Sequence, residues 1–287
     1  MEANTIVEEQ LNELAVKLED CFSADVLGYI GSLLVGADEL IRDGIEAIHP
    51  KRDRLLFLLE TNGGFIETVE RIVGTLRHYY KEVDFIVPNY AMSAGTVLVM
   101  SGDAIYMDYF SVLGPIDPQI PRRGASQLPA LGYLIQYQRL MDKAKDGMLN
   151  TAEMAVLLKF DQAELYLIEQ ARELSIALLK DWLVKYKFKN WVRTETQGKP
   201  VTLQMKRNRA AAIGRMLNNP SIWHAHGRAI PMTVLQKDMN LKIEDFGENE
   251  NAAKMVRSYH HLLLDYMRKT GHNGFLHVKG HHVPVDW

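Results

Sequence analysis

Ser93 and the glycine pair Gly63-Gly64 are the first candidates for catalytic residues in this sequence. Ser93 stands in "NYAMSAGTVLVMSG", between a segment predicted to be a strand and a short apolar segment predicted to be a helix. A side chain at such a turn projects at the carboxyl end of an α/β sheet, where ligands bind. Ser93 is therefore a candidate nucleophile. A small residue that caps a helix has the same pattern.

The segment "LLETNGGF" carries the two glycines, after an apolar run typical of a buried strand and before a helical pattern. Glycine adopts positive φ and lets a ligand approach the backbone, and a helix N-terminus has free N–H groups. We therefore predict an oxyanion hole made by the N–H of Gly63 or Gly64 and the N–H of Ala94. A plain turn between strand and helix is the simpler alternative.

A base must take the proton of the serine hydroxyl before the oxygen can attack. No histidine occurs between His78 and His224, so a Ser-His-Asp triad would need His49, His78 or a histidine from the tail. A lysine is the other base used with serine, provided that burial lowers its pKa. The histidine gap favours the lysine.

The elements that must position these residues alternate between strand and helix over residues 25–120, which predicts a parallel sheet with right-handed crossovers. "PRRGASQLP" is predicted to be a loop, and residues 130–186 to be helical. An amphipathic helix with Leu11, Leu14 and Leu18 on one side precedes the first strand. We predict an N-terminal helix at 1–24, a core at 25–190 and a C-terminal extension at 191–287.

Composition limits the classes of function. The chain has 287 residues, 47% of them hydrophobic, a formal net charge of -3 and one cysteine. This balance gives no reason to expect nucleic acid as a partner, and one cysteine cannot form a disulfide within the chain. We see no signal peptide and no membrane span, and expect a cytoplasmic protein.

Histidines are the candidate metal ligands. His224 and His226 would face one side of a strand, a pattern that can bind zinc, but no third ligand is evident nearby. The tail adds His277, His281 and His282, which are more often solvated or at a subunit contact. We expect no metal and no cofactor.

The order and spacing of "LLETNGGF", "AMSAGTVLVMSGDAIYMDYFSVLGPIDPQI", "ALGYLIQYQRLMDKAKDG" and "WHAHGRAI" resemble the Clp/crotonase superfold. More narrowly, nearly the whole chain resembles the serine dehydrogenase proteinases, serine peptidases related to signal peptide peptidase A. The resemblance implies repeated ββα units around a parallel sheet, plus a mostly helical C-terminal extension. It also implies a soluble, ATP-independent serine peptidase that cleaves polypeptides and forms a homo-oligomer.

The resemblance further implies a Ser-Lys dyad, with the lysine well downstream of the serine and often followed by Asp. Lys145 in "KAKDG" fits that description, and we predict it as the base. Lys143 ends a largely apolar helix and Lys159 follows the apolar "MAVLL", so both are alternatives. Any of the three could equally be a solvated surface residue.

Substrate would lie along the predicted turns. We expect Asn62, Phe65, Gly114 and Pro115 to line the substrate site, with an extended peptide added as a strand beside "TNGGF". Asp117 in "GPIDPQ" is expected to satisfy the turn, as is the glutamine two residues later.

Two other functions are possible. A crotonase-like enzyme would use the same N–H pair to polarise an acyl-CoA thioester, but "AMSAGT" carries no carboxylate for its acid-base chemistry. A non-catalytic member of the fold would bind peptide in the same groove.

Overall fold

The protein is built on a central sheet, seen in a computed structural model that describes residues 3–116, 119–122, 125–223, 225 and 227–286. The strands are β1 (Asp25–Ile30), β2 (Arg54–Glu60), β3 (Glu82–Ile86), β4 (Tyr90–Ala91), β5 (Ile105–Met107), β6 (Val112–Leu113), β7 (Gln119–Arg122), β8 (Ala125–Pro129), β9 (Ile230–Pro231), β10 (Glu244–Asp245), β11 (Gly274–Val278) and β12 (His281–Val285).

The α-helices cover much of the rest of the described chain. They are α1 (Ala3–Phe22), α2 (Ala37–Ala47), α3 (Ile66–Tyr79), α4 (Ala94–Val99), α5 (Ala130–Lys145), α6 (Thr151–Leu157), α7 (Gln162–Trp182), α8 (Leu203–Leu217), α9 (Pro220–Trp223), α10 (Met232–Lys237) and α11 (Glu250–Thr270). A π-helical turn, Leu183–Lys187, continues α7, and a 3-10 turn, Phe246–Glu248, precedes α11.

Seven strands form the main sheet of the described chain, in the order β10-β5-β3-β2-β1-β11-β12. Neighbours from β10 to β1 are parallel, whereas β11 is antiparallel to β1 and β12 to β11. The α/β class with a mainly parallel sheet is therefore confirmed. Because the parallel strands all end on one side, the segments that follow them meet there; we call this side the carboxyl edge and the opposite side the amino edge.

Helices cover both faces of the sheet, and the sequence of β2 reflects this. Leu55, Phe57 and Leu59 point into a core with α2, α3, α4 and α7. Leu56 and Leu58 point into a second core with α1 and α11. A strand that is buried on both faces needs apolar residues at every position, which is why "RLLFLLE" shows no alternation. Leu11 and Leu18 of α1 are buried in the second core as predicted.

A small second sheet, β4-β6-β9, stands at the carboxyl edge. It joins the main sheet through a parallel bridge between Thr61 and Ala91. This bridge brings the segment after β2 beside the segment before α4. The two sequence motifs of interest are therefore neighbours in the fold.

Two segments differ from the sequence prediction. The loop predicted at 121–129 is wrong for the described residues, because β7 and β8 pair as an antiparallel hairpin whose backbone groups satisfy each other. The polar tail forms β11 and β12 and extends the main sheet. It does so because Phe275, Leu276 and Val278 are buried. Across the described chain, no helix combines the length and apolar character needed to cross a bilayer.

Candidate active site

Ser93 occupies the turn between β4 and α4 in a strained backbone conformation, with φ 54° and ψ -119°. Positive φ is uncommon for a residue with a side chain, and such strain persists only where the surrounding structure enforces it. The same strand-turn-helix arrangement presents the nucleophile in α/β-hydrolases. The conformation of Ser93 is therefore the strongest local indication of a functional serine.

Hydrogen bonds from α4 hold this turn. The N–H of Gly95 donates to the carbonyl of Met92 (2.8 Å), and the N–H of Thr96 donates to the carbonyl of Ser93 (2.9 Å). The fully buried Thr96 hydroxyl lies 2.9 Å from the carbonyl oxygen of Ala91 and 2.8 Å from that of Gly114. Thr96 thus ties the Gly114 segment to the turn, a role that one threonine in "SAGT" does not reveal from sequence.

Gly63 brings the second motif into contact with Ser93. Its φ is +100°, and a Cβ atom there would lie 2.8 Å from the carbonyl oxygen of Met92 and 2.9 Å from the Cβ of Ser93. Only glycine fits so close an approach at this φ. Its N–H donates to the hydroxyl of Thr61 (3.0 Å), which fixes the loop.

Gly64 presents its N–H on the open side of the loop. Leu33 donates to the carbonyl of Gly63 (2.8 Å) and accepts from the N–H of Phe65 (2.9 Å). In this parallel bridge the residue between the two partners points its own N–H and C=O away from Leu33. The N–H of Gly64 is therefore directed away from the strand pairing.

Ala94 supplies a second N–H. It is the first residue of α4, where backbone donors lack intrahelical acceptors. Within the described part of the chain, neither Gly64 nor Ala94 has a hydrogen-bond acceptor for its N–H. Two open donors beside a strained serine can stabilise the oxyanion of a tetrahedral intermediate.

A buried carboxylate, Glu60, lies directly behind these turns. It accepts from the side-chain amide of Asn89 (3.0 Å) and contacts Nε2 of His260 (2.6 Å). Burial and the negative charge of Glu60 raise the pKa of the Tyr90 hydroxyl. Neither Glu60 nor His260 was predicted from the sequence, although each interrupts an apolar pattern.

The remaining residues predicted to bind substrate surround the turns. Asn62 and Phe65 are exposed, the latter 46%. Gly114 and Pro115 are buried, and Gly114 packs against Met92 so closely that a Cβ would lie 2.5 Å from its sulfur. Asp117 lies outside the described residues.

The three candidate lysines are not enclosed by apolar side chains. Lys145 ends α5 with its side chain 68% exposed and its Nζ 3.5 Å from Asp142. Lys143 is 35% exposed and pairs with Glu153 (2.5 Å). Lys159 follows α6 and is exposed. None has the burial in the single chain that a neutral lysine requires.

Lys187 has the electrostatics expected of a base but the wrong position. Burial lowers its pKa to about 8. Its Nζ lies 3.4 Å from the carbonyl oxygen of Asp103, at the amino edge just before β5. Ser93 lies at the other end of α4, so Lys187 cannot accept its proton.

Histidines do not form a metal centre in the described residues, where no group of three His, Cys, Asp or Glu side chains could hold an ion. His277 is fully buried and its Nδ1 lies 2.6 Å from the Tyr259 hydroxyl. Burial lowers its pKa to about 3, so it stays neutral at pH 7. His224 and His226 lie outside the described residues.

The sequence matches one known protein family over most of its length. Residues 36–210 match the ClpP-like SDH-type serine proteinase family, which is well over half of the sequence. The protein belongs to this family of serine proteinases, and the resemblance to serine dehydrogenase proteinases is confirmed.

Two curated relatives come from Methanocaldococcus jannaschii. Uncharacterized protein MJ0137 is 31% identical over 160 residues, which cover 54% of this chain and 51% of the relative. Uncharacterized protein MJ1495 is 32% identical over 141 residues, which cover 49% and 44%. The chain spans about half the length of the curated relatives it matches.

Solved structures show more distant similarity. A mutant of the 1510-N membrane-bound stomatin-specific protease is 13% identical, with a TM-score of 0.45 over 76% of this chain and 77% of that one. A ClpP1 mutant from Listeria monocytogenes is 11% identical, with a TM-score of 0.29 over 34% and 59%. The family assignment depends on the sequence match over residues 36–210.

Proposed function

We propose that the protein is an ATP-independent serine endopeptidase with Ser93 as its nucleophile. The observation that carries this proposal is the strained Ser93 turn packed against Gly63, with the N–H groups of Gly64 and Ala94 open beside it. A small residue that only caps a helix needs no such strain. Membership of a serine proteinase family supports the same conclusion.

In the proposed reaction, Ser93 Oγ attacks the carbonyl carbon of the scissile peptide bond. A lysine amine takes the hydroxyl proton, and the N–H groups of Gly64 and Ala94 bind the carbonyl oxygen as it becomes negative. The same lysine then gives the proton to the leaving nitrogen as the C–N bond breaks. Water attacks the acyl-serine ester, which releases the acid and restores Ser93.

We propose Lys145 as the base, with Lys143 and Lys159 as alternatives. A lysine accepts a proton only when its amine is neutral, and removal from water favours that form. The exposure of Lys145 means that bound polypeptide or a second subunit must exclude water from it.

Assembly into a homo-oligomer would cover this region. The helices that flank the candidate lysines expose apolar side chains: Leu158 is 78% exposed, Leu167 67% and Tyr166 61%. Large exposed apolar side chains that lie close in the chain are found at protein interfaces. This surface supports a homo-oligomer in which the lysine segment lies against another copy.

The two alternative functions are less well supported. A crotonase-like enzyme needs the N–H pair to polarise a thioester, but it has no use for a strained serine beside it. A non-catalytic binding protein would not need the strain either. The conformation of Ser93 therefore favours the peptidase over both.

Labelling with a fluorophosphonate probe, followed by peptide mapping, tests the nucleophile. We expect the adduct on Ser93 and its loss in Lys145→Ala, while Lys269→Ala labels normally. Lys269 is a matched control because it is 74% exposed and pairs with Asp265 on its own helix (2.8 Å). A folded protein that is not labelled at Ser93 contradicts the proposal. Labelling lost only in Lys143→Ala or Lys159→Ala would reassign the base.

A further inference from the structure

Two buried polar residues meet between the main sheet and α11. On β2, Leu56 and Leu58 pack toward α11, and the next residue on that face is Glu60. On α11, the buried stripe that includes Val256 and Leu263 contains His260. Glu60 and His260 are each 4% exposed. Burial of a polar group is costly unless it has a partner, and these two are 2.6 Å apart.

Glu60 reaches the chain that leads into both turns of the active site. Its carboxylate accepts a hydrogen bond from the side-chain amide of Asn89 (3.0 Å), in the segment that leads into the Ser93 turn. Its own backbone continues into Thr61, whose N–H donates to the carbonyl of Tyr90 (3.1 Å). One side chain thus bonds the segment that supplies the nucleophile and begins the segment that supplies the oxyanion donor.

The hydrogen-bond roles follow from the chemistry of a carboxylate. An ionised carboxylate only accepts, so its partners must donate. The Asn89 amide donates, and the short contact to His260 puts a proton on its Nε2. Without His260, the buried carboxylate would have one donor fewer and would turn toward water, and its partner Asn89 would move with it.

We propose that His260 and Glu60 are a positioning pair that holds the Ser93 turn and the Gly63-Gly64 turn in register. His260 lies in α11, outside residues 36–210 that match the family. Helix α11 then helps to position the active site, although it lies outside the family match. His260 acts through Glu60, since its described contacts are with Glu60 and the ring of His261. The active-site role rests on the proposed peptidase function.

The test compares three variants of α11. His260→Leu removes the donor, and His260→Gln keeps an N–H at nearly the same place. Leu263→Ala is the control, because it removes a fully buried side chain from the same helix without touching Glu60. Two quantities are measured well below each melting temperature: the rate of fluorophosphonate labelling at Ser93, and amide hydrogen exchange in peptides covering 60–66 and 89–95.

We expect His260→Leu to label at least about tenfold more slowly, since small displacements of catalytic groups have effects of this size. Its exchange should speed up in both peptides. His260→Gln and Leu263→Ala should stay close to the wild type in both measurements. Should His260→Leu not fold, Asn89→Ala removes a donor on the other side of Glu60 and should give the same contrast.

Equal slowing in His260→Leu and Leu263→Ala would overturn the proposal, because it would show only a loss of stability. Unchanged labelling and exchange in folded His260→Leu would also overturn it. If the wild type itself is not labelled at Ser93, the proposed peptidase function is rejected. Hydrogen exchange then tests separately whether His260 and Glu60 position the two turns. Faster exchange in both turns of His260→Leu then supports the positioning, and unchanged exchange rejects it.

Discussion

The two edges of the main sheet handle polar groups in opposite ways. At the amino edge, Asp103 is surrounded by the cations Arg77 (2.6 Å) and Lys189 (2.7 Å), and Arg54 binds Asp84 (2.6 Å). At the carboxyl edge, the backbone is strained at Ser93 and leaves two N–H groups open. The charged side chains at the amino edge are paired with one another. At the carboxyl edge, backbone N–H groups stay available to bind a ligand.

The pKa values reflect this difference. Burial alone would raise the pKa of Asp103, but hydrogen bonds from Lys189, the Val83 N–H and Arg77 hold it below its ordinary value. Burial raises the pKa of Asp84 despite Arg54. The amino edge is therefore a stabilising network. At the carboxyl edge, packing against Gly63 and Thr96 holds Ser93 in its strained conformation. Backbone strain that the surrounding structure enforces in this way is typical of a functional site.

The largest effect is expected from Ser93. Ser93→Ala and Ser93→Gly should both lower peptidase activity at least about a thousandfold, because the nucleophile is lost. The free energy of unfolding of Ser93→Gly should be about 1 kcal/mol higher than that of Ser93→Ala, since glycine tolerates positive φ. Peptide hydrolysis and urea unfolding measure the two effects. Equal stability of the two variants would show that the turn is not strained.

At the amino edge, Asp103→Asn should lower the free energy of unfolding by about 3 kcal/mol, because it removes the counter-charge of Arg77, whose side chain is only 11% exposed. The labelling rate of Ser93 should not change in the folded protein. Asp53→Asn is the control: its carboxylate is 75% exposed and pairs with Lys81 (2.8 Å). That variant should change stability by less than about 1 kcal/mol in the same urea titration. A large loss of labelling in Asp103→Asn would refute the separation of the two edges.

Gly63→Ala tests the contact between the turns. The added methyl would collide with Met92 and Ser93, so we expect labelling of Ser93 to slow about a hundredfold. Gly74→Ala, in the exposed middle of α3 with no atom near the new Cβ, should instead raise the unfolding free energy by about 0.5–1 kcal/mol. Labelling kinetics and thermal unfolding check both. Normal labelling of Gly63→Ala would mean that the turns can separate without loss of function.

A pH-dependent effect is expected from Lys187. Its pKa is lowered from 10.5 to about 8, so the unfolded chain binds the proton more tightly. Lys187→Met should therefore be more stable than the wild type by at most about 3 kcal/mol at pH 7. The wild type should recover this difference as the pH rises from about 8 to 10.5, where the folded lysine is neutral. Unfolding at pH 7, 9 and 10.5 measures the trend, and a pH-independent difference would contradict it.

Local patterns were enough to predict much of the fold and part of the site. The continuous apolar run at 55–59 indicated a strand covered on both faces, and the period of Ile66, Val69, Ile72, Val73 and Leu76 indicated α3. Glycines after one strand and a serine after another predicted two turns at one edge of the sheet, and the structure places Gly63 against Ser93. Their catalytic roles stay predictions.

Contacts between distant parts of the chain could not be predicted from sequence patterns. The residues of the Glu60–His260 pair are 200 positions apart, and no local pattern links them. The segment that forms β11 and β12 looks like a polar tail in the sequence, because the partners that let His277 be buried, Tyr259 and Asn12, are distant in the chain. The surroundings of Lys143, Lys145 and Lys159 likewise depend on packing, which spacing cannot supply.

The order of strands and helices, the glycine and serine turns and the gap without histidine between His78 and His224 could all be recognised in the sequence. These follow from backbone preferences and periodicity, which act over a few residues. The strain at Ser93, the direction of the Gly64 N–H and the buried carboxylate behind both turns became evident only from the fold. These depend on which segments pack together, because only long-range packing can impose an unfavourable φ or bury a charge beside its partner.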